Sequence, residues 1–238
     1  MKNWWKWGIG LLLVACTSAQ IQESIGVLKG SVPLTEQEVA NGLKQALEKG
    51  VDLGVTDLGV TDGFWGQPKF RIPFPPQASR VEEKLRAIGM GAQVDRFIET
   101  LNRGAEKAVA DASPIFMKAI EEMTIQDAFD ILRGESDAAT RYLEKKTRTD
   151  LIVAFRPTVE SALQTTQATK YYGDLVGIYN RIPLVQPVDP DLAGYATEKA
   201  VDGLFLKIEE EELAIRRDPA QRTTDLLKRV FGSLNDNQ

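Results

Sequence analysis

The sequence predicts an all-α protein: a single multi-helix, bundle-like domain crossed by one extended strap rich in proline and aromatic residues. Three observations predict it. Apolar residues recur three and four apart through most of the chain, as on one face of a helix. No segment alternates with the period of two that a strand requires. The breaks between periodic segments are short, so successive helices should pack as near neighbours.

The chain opens MKNWWKWGIGLLLVAC. Lys2 and Lys6 make a positive start, and Trp7 to Ala15 is a short apolar stretch ending in small residues. This is the pattern of a secretory signal, and it is too short to span a bilayer as a helix. Leu13-Val14-Ala15-Cys16 resembles a bacterial lipobox, which implies acylation of Cys16 and cleavage just before it. Acyl chains contribute about 0.8 kcal/mol per buried methylene, so two or more hold a protein stably on a membrane. The expected division is therefore a signal peptide over 1–15, lipidated Cys16 with a tether over 16–34, and a helical domain over 35–238. The alternative is cleavage after Ala19, with Thr17 and Ala19 as the small residues of the site, releasing a soluble periplasmic chain from Gln20. Thr17 is not the Asp of an inner-membrane retention signal, so an outer-membrane lipoprotein facing the periplasm is expected.

Thr35 precedes Glu38 by three, the capping-box spacing that opens a helix, and Val39, Leu43, Ala46, Leu47 and Val51 form its stripe. The pentapeptide Leu53-Gly-Val-Thr-Asp57 is then repeated at once as residues 58–62, which reads as a tandem duplication in a tolerant loop. Residues 63–76 (GFWGQPKFRIPFPP) cannot be a helix interior because of their prolines. Phe64, Trp65, Phe70 and Phe74 there are read as a strap packing over the helices, with a mobile lid as the alternative. A helix through Val81, Leu85 and Ile88 follows, then the clearest stripe of the chain: Val94, Phe97, Ile98, Leu101, Ala105 and Ala108. Ser113-Pro114 reads as a cap with Pro at the first helical position. Thr124 should cap a helix that Gly134 ends in the left-handed conformation. Ser136 should open a longer helix through the apolar run 151–155, which Pro157 must kink or restart. After a helical stretch over 158–180, Asp189-Pro190 reads as a fresh cap for the helix carrying Leu204 and Phe205. Pro219 ends that helix, and Leu226, Leu227, Val230 and Phe231 mark a last amphipathic one.

RIPFP (71–75), NRGAEKA (102–108), MTIQDAFDIL (123–132), FRPTV (155–159), YATEKAVDGLF (195–205) and DPAQRTTDLLKRVFG (218–232), in this order, resemble the bacterial family called domain of unknown function 4197. The resemblance covers roughly residues 39 to 232. It implies an all-helical envelope protein of Gram-negative bacteria and supplies no activity and no catalytic residues.

Composition narrows the chemistry. There is no histidine, which removes Ser-His-Asp and Cys-His catalysis, the usual zinc sites and the usual pH switch. One cysteine cannot form an internal disulfide. A net charge of −5, or −7 once Lys2 and Lys6 leave with the leader, argues against nucleic acid as a partner. No phosphate loop, nucleophile elbow or metal motif is present, so no cofactor and no metal are expected. Asn102, Arg103 and Glu106 form the best polar cluster, with Glu99 and Arg103, and Asn102 and Glu106, each four apart on one helix face. They read as surface ion pairs or as a groove with Glu106 as a general acid. Arg156, between Phe155 and Pro157, could bond freed carbonyls, pair with a buried carboxylate or bind an anion. Glu198 lies on a second polar stripe, and Glu209 to Glu212 read as a solvated face.

The expected function is a non-enzymatic, lipid-anchored envelope protein that engages another envelope protein, held on the membrane through Cys16. The alternatives are a carboxylate-based enzyme on envelope substrates and a helical carrier of an apolar ligand.

Overall fold

A computed structural model describes residues 34–232 except 166, 167, 182, 183, 185 and 223. The expected signal peptide, the expected lipidation site Cys16 and all but the last residue of the expected tether lie outside the described residues. Among the described residues there are helices and turns and no strand. The helices are α1 (Glu36–Leu58), α2 (Ser79–Ala87), α3 (Gly91–Val109), α4 (Ser113–Glu121), α5 (Ile125–Arg133), α6 (Ala138–Thr165), α7 (Ala168–Tyr179), α8 (Leu192–Arg217) and α9 (Asp225–Gly232).

α3, α6 and α8 pack on one another, and α1 lies along α8 with α4, α5 and α9 against it. The core between them is filled by Leu43 and Val51 of α1, Leu101 and Ala105 of α3, Leu151, Phe155 and Leu163 of α6 and Leu204 of α8. Phe116 of α4 meets Phe205 of α8 edge to face, with ring centres 5.7 Å apart, a geometry favoured by the ring quadrupoles. The apolar spacing that predicts each helix thus becomes the buried stripe that holds it.

Local caps follow the sequence where the partners are close. Thr35 and Glu38 exchange bonds as a capping box at α1, and Thr124 and Asp127 do the same at α5. Elsewhere tertiary packing decides. Ser113 is no cap: the chain passes from α3 through a 3-10 turn at Ala110–Ala112, and Ser113 is already helical. Gly134 is extended, at φ −76° and ψ −176°, not left-handed. Its glycine is required by space instead, since a Cβ would lie 2.8 Å from that of Ala138. α6 begins at Ala138 rather than Ser136, and it continues through Pro157 to Thr165 without restarting there. α8 is capped by the Asp191 side chain, which accepts from the Gly194 N–H, not by Asp189.

The duplicated pentapeptide is not a loop throughout. Its first copy is the last part of α1, and its second makes the turn that follows, where Asp62 takes a positive φ of 69°. Asp57 pairs with Lys207 and Asp62 with Arg103, so each copy ties α1 or its exit to a different helix.

Candidate functional site

Residues 63–76 cross the helices as a strap, but the strap is not extended throughout. Residues 63–70 are successive turns closed by their own hydrogen bonds, with the Gln67 N–H donating to the Phe64 carbonyl at 3.3 Å and the Phe70 N–H to the Gln67 carbonyl at 3.0 Å. Phe64, Phe70, Ile72 and Phe74 are buried. Phe64 presses edge-on against Gly203 of α8, where an added Cβ would lie 2.7 Å from the ring. Phe74 packs on Phe97 of α3 and Tyr172 of α7, with ring centres 5.0 and 6.3 Å away. The turns do not pair the N–H groups of Phe64, Trp65 and Ile72, which therefore need partners outside the strap.

α3 supplies them. Asn102 is fully buried; its Oδ1 accepts from the Ile72 N–H at 2.8 Å, and its Nδ2 donates to the carbonyls of Ile72 and Ile98. One turn along, Glu106 is 4% exposed, and its Oε1 accepts the N–H groups of both Phe64 and Trp65 at 3.1 Å. Its Oε2 takes the Arg103 guanidinium at 2.9 Å. Arg103 also reaches Asp62 and Glu99. Glu106 chiefly, with Asp62 and Glu99 outweighing burial, holds the Arg103 guanidinium firmly protonated. Tyr195 of α8 donates to the Pro73 carbonyl at 3.1 Å, and Lys69 pairs with Glu210. On the outer side, the Arg71 guanidinium stacks 4.3 Å from the Trp65 ring centre and its Nε donates to the Trp65 carbonyl.

Asn102, Arg103 and Glu106 are therefore one cluster, as their spacing predicts, but Asn102 and Glu106 face the strap, and only Arg103, 30% exposed, still reaches solvent. Both Glu106 oxygens are occupied, so acid or base work on an external substrate would first require the strap to leave.

The other candidates lie apart from it. Arg156 bonds neither freed carbonyls nor a buried carboxylate. It is 44% exposed and bridges Glu160 of its own helix to Asp191, the cap of α8. Burial would raise the Asp191 carboxyl, yet the Gly194 N–H and Arg156 outweigh it and hold the group below its usual range. Glu198 is exposed and makes no ion pair among the described residues.

A second cluster shows in the sequence only as Glu212 and Arg216 four apart. Glu212 is 8% exposed and accepts the N–H groups of Ala139 and Thr140 at the start of α6, together with the Thr140 hydroxyl. Its partner Arg216, 2.8 Å away, donates to the Ile131 carbonyl at the end of α5. One i,i+4 pair on α8 thus caps the start of α6 and the end of α5. Glu210 and Glu211 are also paired, with Lys69 and Lys207, so the run 209–212 is not simply a solvated face.

Two depressions stand out among the described residues. A crevice of ≈ 20 Å³ between α1, α8 and α9, lined by Leu43, Leu47, Ile208, Glu212 and Phe231, has room for about one water molecule. An open groove of ≈ 320 Å³ lies against α6, lined by Lys107, Pro157, Thr158, Ser161 and Thr165. No group of three or more His, Cys, Asp or Glu side chains among the described residues is placed to hold a metal ion. No described helix is long and apolar enough to cross a membrane.

No curated protein and no solved structure matches the chain. The family model described as Protein of unknown function (DUF4197) matches residues 33–232, which is nearly all of the folded part just described, and the chain belongs to that family.

Proposed function

We propose that the chain is a non-enzymatic, lipid-anchored envelope protein that acts by engaging another envelope protein. The observation that carries this reading is the internal commitment of its best polar cluster. Asn102 and Glu106 spend their hydrogen bonds on the strap backbone, and no acid or base is left free there. The crevice has room for about one water, and the larger groove is open and lined by Lys107, Thr158, Ser161 and Thr165, so neither resembles the enclosed apolar pocket of a carrier. The motif Leu13-Val14-Ala15-Cys16 supports an acyl anchor, and Thr17 supports the outer membrane, facing the periplasm.

Two measurements test the reading. The intact mass of the protein from its native membrane fraction should match an acylated chain beginning at Cys16; an unmodified chain beginning at Gln20 would overturn the anchor. Crosslinking in cells should then recover the same envelope protein reproducibly. Recovery of none would overturn the interaction role.

A further inference from the structure

α2 is a helix with an apolar stripe and nothing buried. Val81, Leu85 and Ile88 recur at positions i, i+4 and i+7, yet no residue of α2 is buried. Its flank is fixed to α3 by Arg86, which pairs with Glu82 and with Asp95 of α3 at 2.9 Å each. The stripe points about a third of a turn away from that flank, given 3.6 residues per turn. It ends in the exposed turn that joins α2 to α3. Ile88 is 71% exposed, Met90 is 37% exposed, and Gly89 between them takes a φ of +86° with no atom within 4 Å of where a Cβ would sit. A helix of about nine residues is marginal in water by itself, and an apolar stripe left half-open is a docking face in want of an occupant.

We propose that this face docks on a lipid surface: the bilayer that holds the acyl chains on Cys16. Charge chooses the occupant, and the length of the preceding chain permits it. Arg80 and Lys84, four apart on the solvent side of the stripe, are exposed and make no ion pair among the described residues. An apolar face bordered by free cations is the pattern of a helix lying in the interface of an anionic bilayer. The chain between Cys16 and α1 is also long enough. Roughly 20 residues separate Cys16 from the start of α1, a reach of up to ~65 Å, which exceeds the ~45 Å breadth expected of a domain this size. The tether therefore lets any face turn to the membrane, and α2 is the face built to stay there. The net negative charge of the domain does not prevent this, because charges beyond about 8 Å are largely screened at physiological salt. This inference rests on the proposed anchor.

The test uses the full-length protein purified from membranes and reconstituted in phosphatidylethanolamine vesicles containing phosphatidylglycerol. Trp65 is the only tryptophan after Trp7, so Trp65→Phe clears the background for a reporter at Ile88→Trp. Val153→Trp is the control, since Val153 is 69% exposed and lies beyond Thr158, which meets Asp111 at the far end of α3. Lipids brominated in the acyl chains should quench the Ile88→Trp reporter several-fold more than the Val153→Trp control. Adding Arg80→Glu and Lys84→Glu should lower the partitioning of the turn by at least about tenfold. Equal quenching of the two reporters overturns the proposal. So does an Ile88→Trp emission that shifts to the blue without bromine quenching, which would mean that a protein surface covers the stripe. The mass of the same sample separates the two ideas. If it lacks acyl chains, the anchor reading fails, and quenching on added vesicles still decides the docking.

Discussion

The Asn102 side chain is bonded to Ile72 as a neighbouring strand would be: its amide oxygen accepts the Ile72 N–H at 2.8 Å and its amide nitrogen donates to the Ile72 carbonyl at 2.9 Å. A single helical side chain thus satisfies both backbone groups of a strap residue that is only 2% exposed. Only a primary amide can do this, because both a donor and an acceptor are needed on one planar group.

Asn102→Leu is accordingly expected to be severe. It removes both partners of a buried peptide and leaves each group unsatisfied, at about 1–3 kcal/mol apiece. Asn102→Asp keeps the size but loses the donor and buries a carboxylate against the Ile72 carbonyl. Urea unfolding should show both variants with a lowered midpoint and an unchanged slope. A midpoint within error of the parent protein for Asn102→Leu would show that the strap needs no such bond.

Glu106 performs the corresponding task one turn along, at the backbone of Phe64 and Trp65. Glu106→Ala should cost about 3–5 kcal/mol, since it orphans two N–H groups and removes the one buried counter-charge of Arg103. Glu106→Gln keeps an acceptor for the strap and should cost less, with Arg103 still held by Asp62 and Glu99. Trp65 reports the difference directly. Its emission should move to the red in Glu106→Ala as the strap end loosens, and stay near the parent value in Glu106→Gln.

How much of this could be read from the sequence depends on the distance between partners. The boxes at Thr35 and Thr124 are legible because donor and acceptor are three residues apart. That Asn102 and Glu106 share a face is likewise written in their spacing of four. Which object that face meets is not, because it depends on where the strap lies after the helices have packed. Glu212 is the extreme case. It caps Ala139 from 73 residues away, and within its own run of glutamates nothing distinguishes it except Arg216 four residues on. Ser136 and Gly134 mislead for the same reason: their local chemistry suits a cap and a left-handed stop, but Glu212 caps the helix and the closeness of Ala138 fixes the glycine.

Glu212 and Arg216 join the ends of two helices, so removing one should harm both. Glu212→Ala leaves a buried guanidinium without its counter-charge and should cost about 3–5 kcal/mol. Replacing the pair together by leucines should recover only part of this loss, because the N–H groups of Ala139 and Thr140 stay unpaired. A double-mutant cycle by urea unfolding measures the shared part. If the double variant matches the parent, the pair acts only through its charges and the cap contributes nothing.

The tyrosines set the alkaline limit of the fold. Burial pushes the phenols of Tyr172 and Tyr195 up to about 12, with Asp189 adding to the effect at Tyr172 and Tyr172 at Tyr195. The unfolded chain ionises near pH 10. Both groups therefore contribute stability that is fully present below about pH 10 and is lost as pH rises through about 12. At the acid end the sign is reversed. Asp191 and Asp202 are held below their ordinary range, Asp191 by the Gly194 N–H and Arg156 and Asp202 by Lys199 and Arg148, against the effect of burial in each case. Their contribution is present above about pH 4 and is lost as pH falls through the lowered values. Between these limits there is no imidazole to titrate, so the melting temperature should be nearly level from pH 5 to 8. Tyr195→Phe separates the tyrosine effect from general alkaline damage. It removes the hydroxyl that bonds the Pro73 carbonyl, so it should lower Tm at neutral pH by a few degrees while flattening the fall between pH 10 and 12. A variant that melts lower but keeps the full alkaline slope would place the titrating phenol elsewhere.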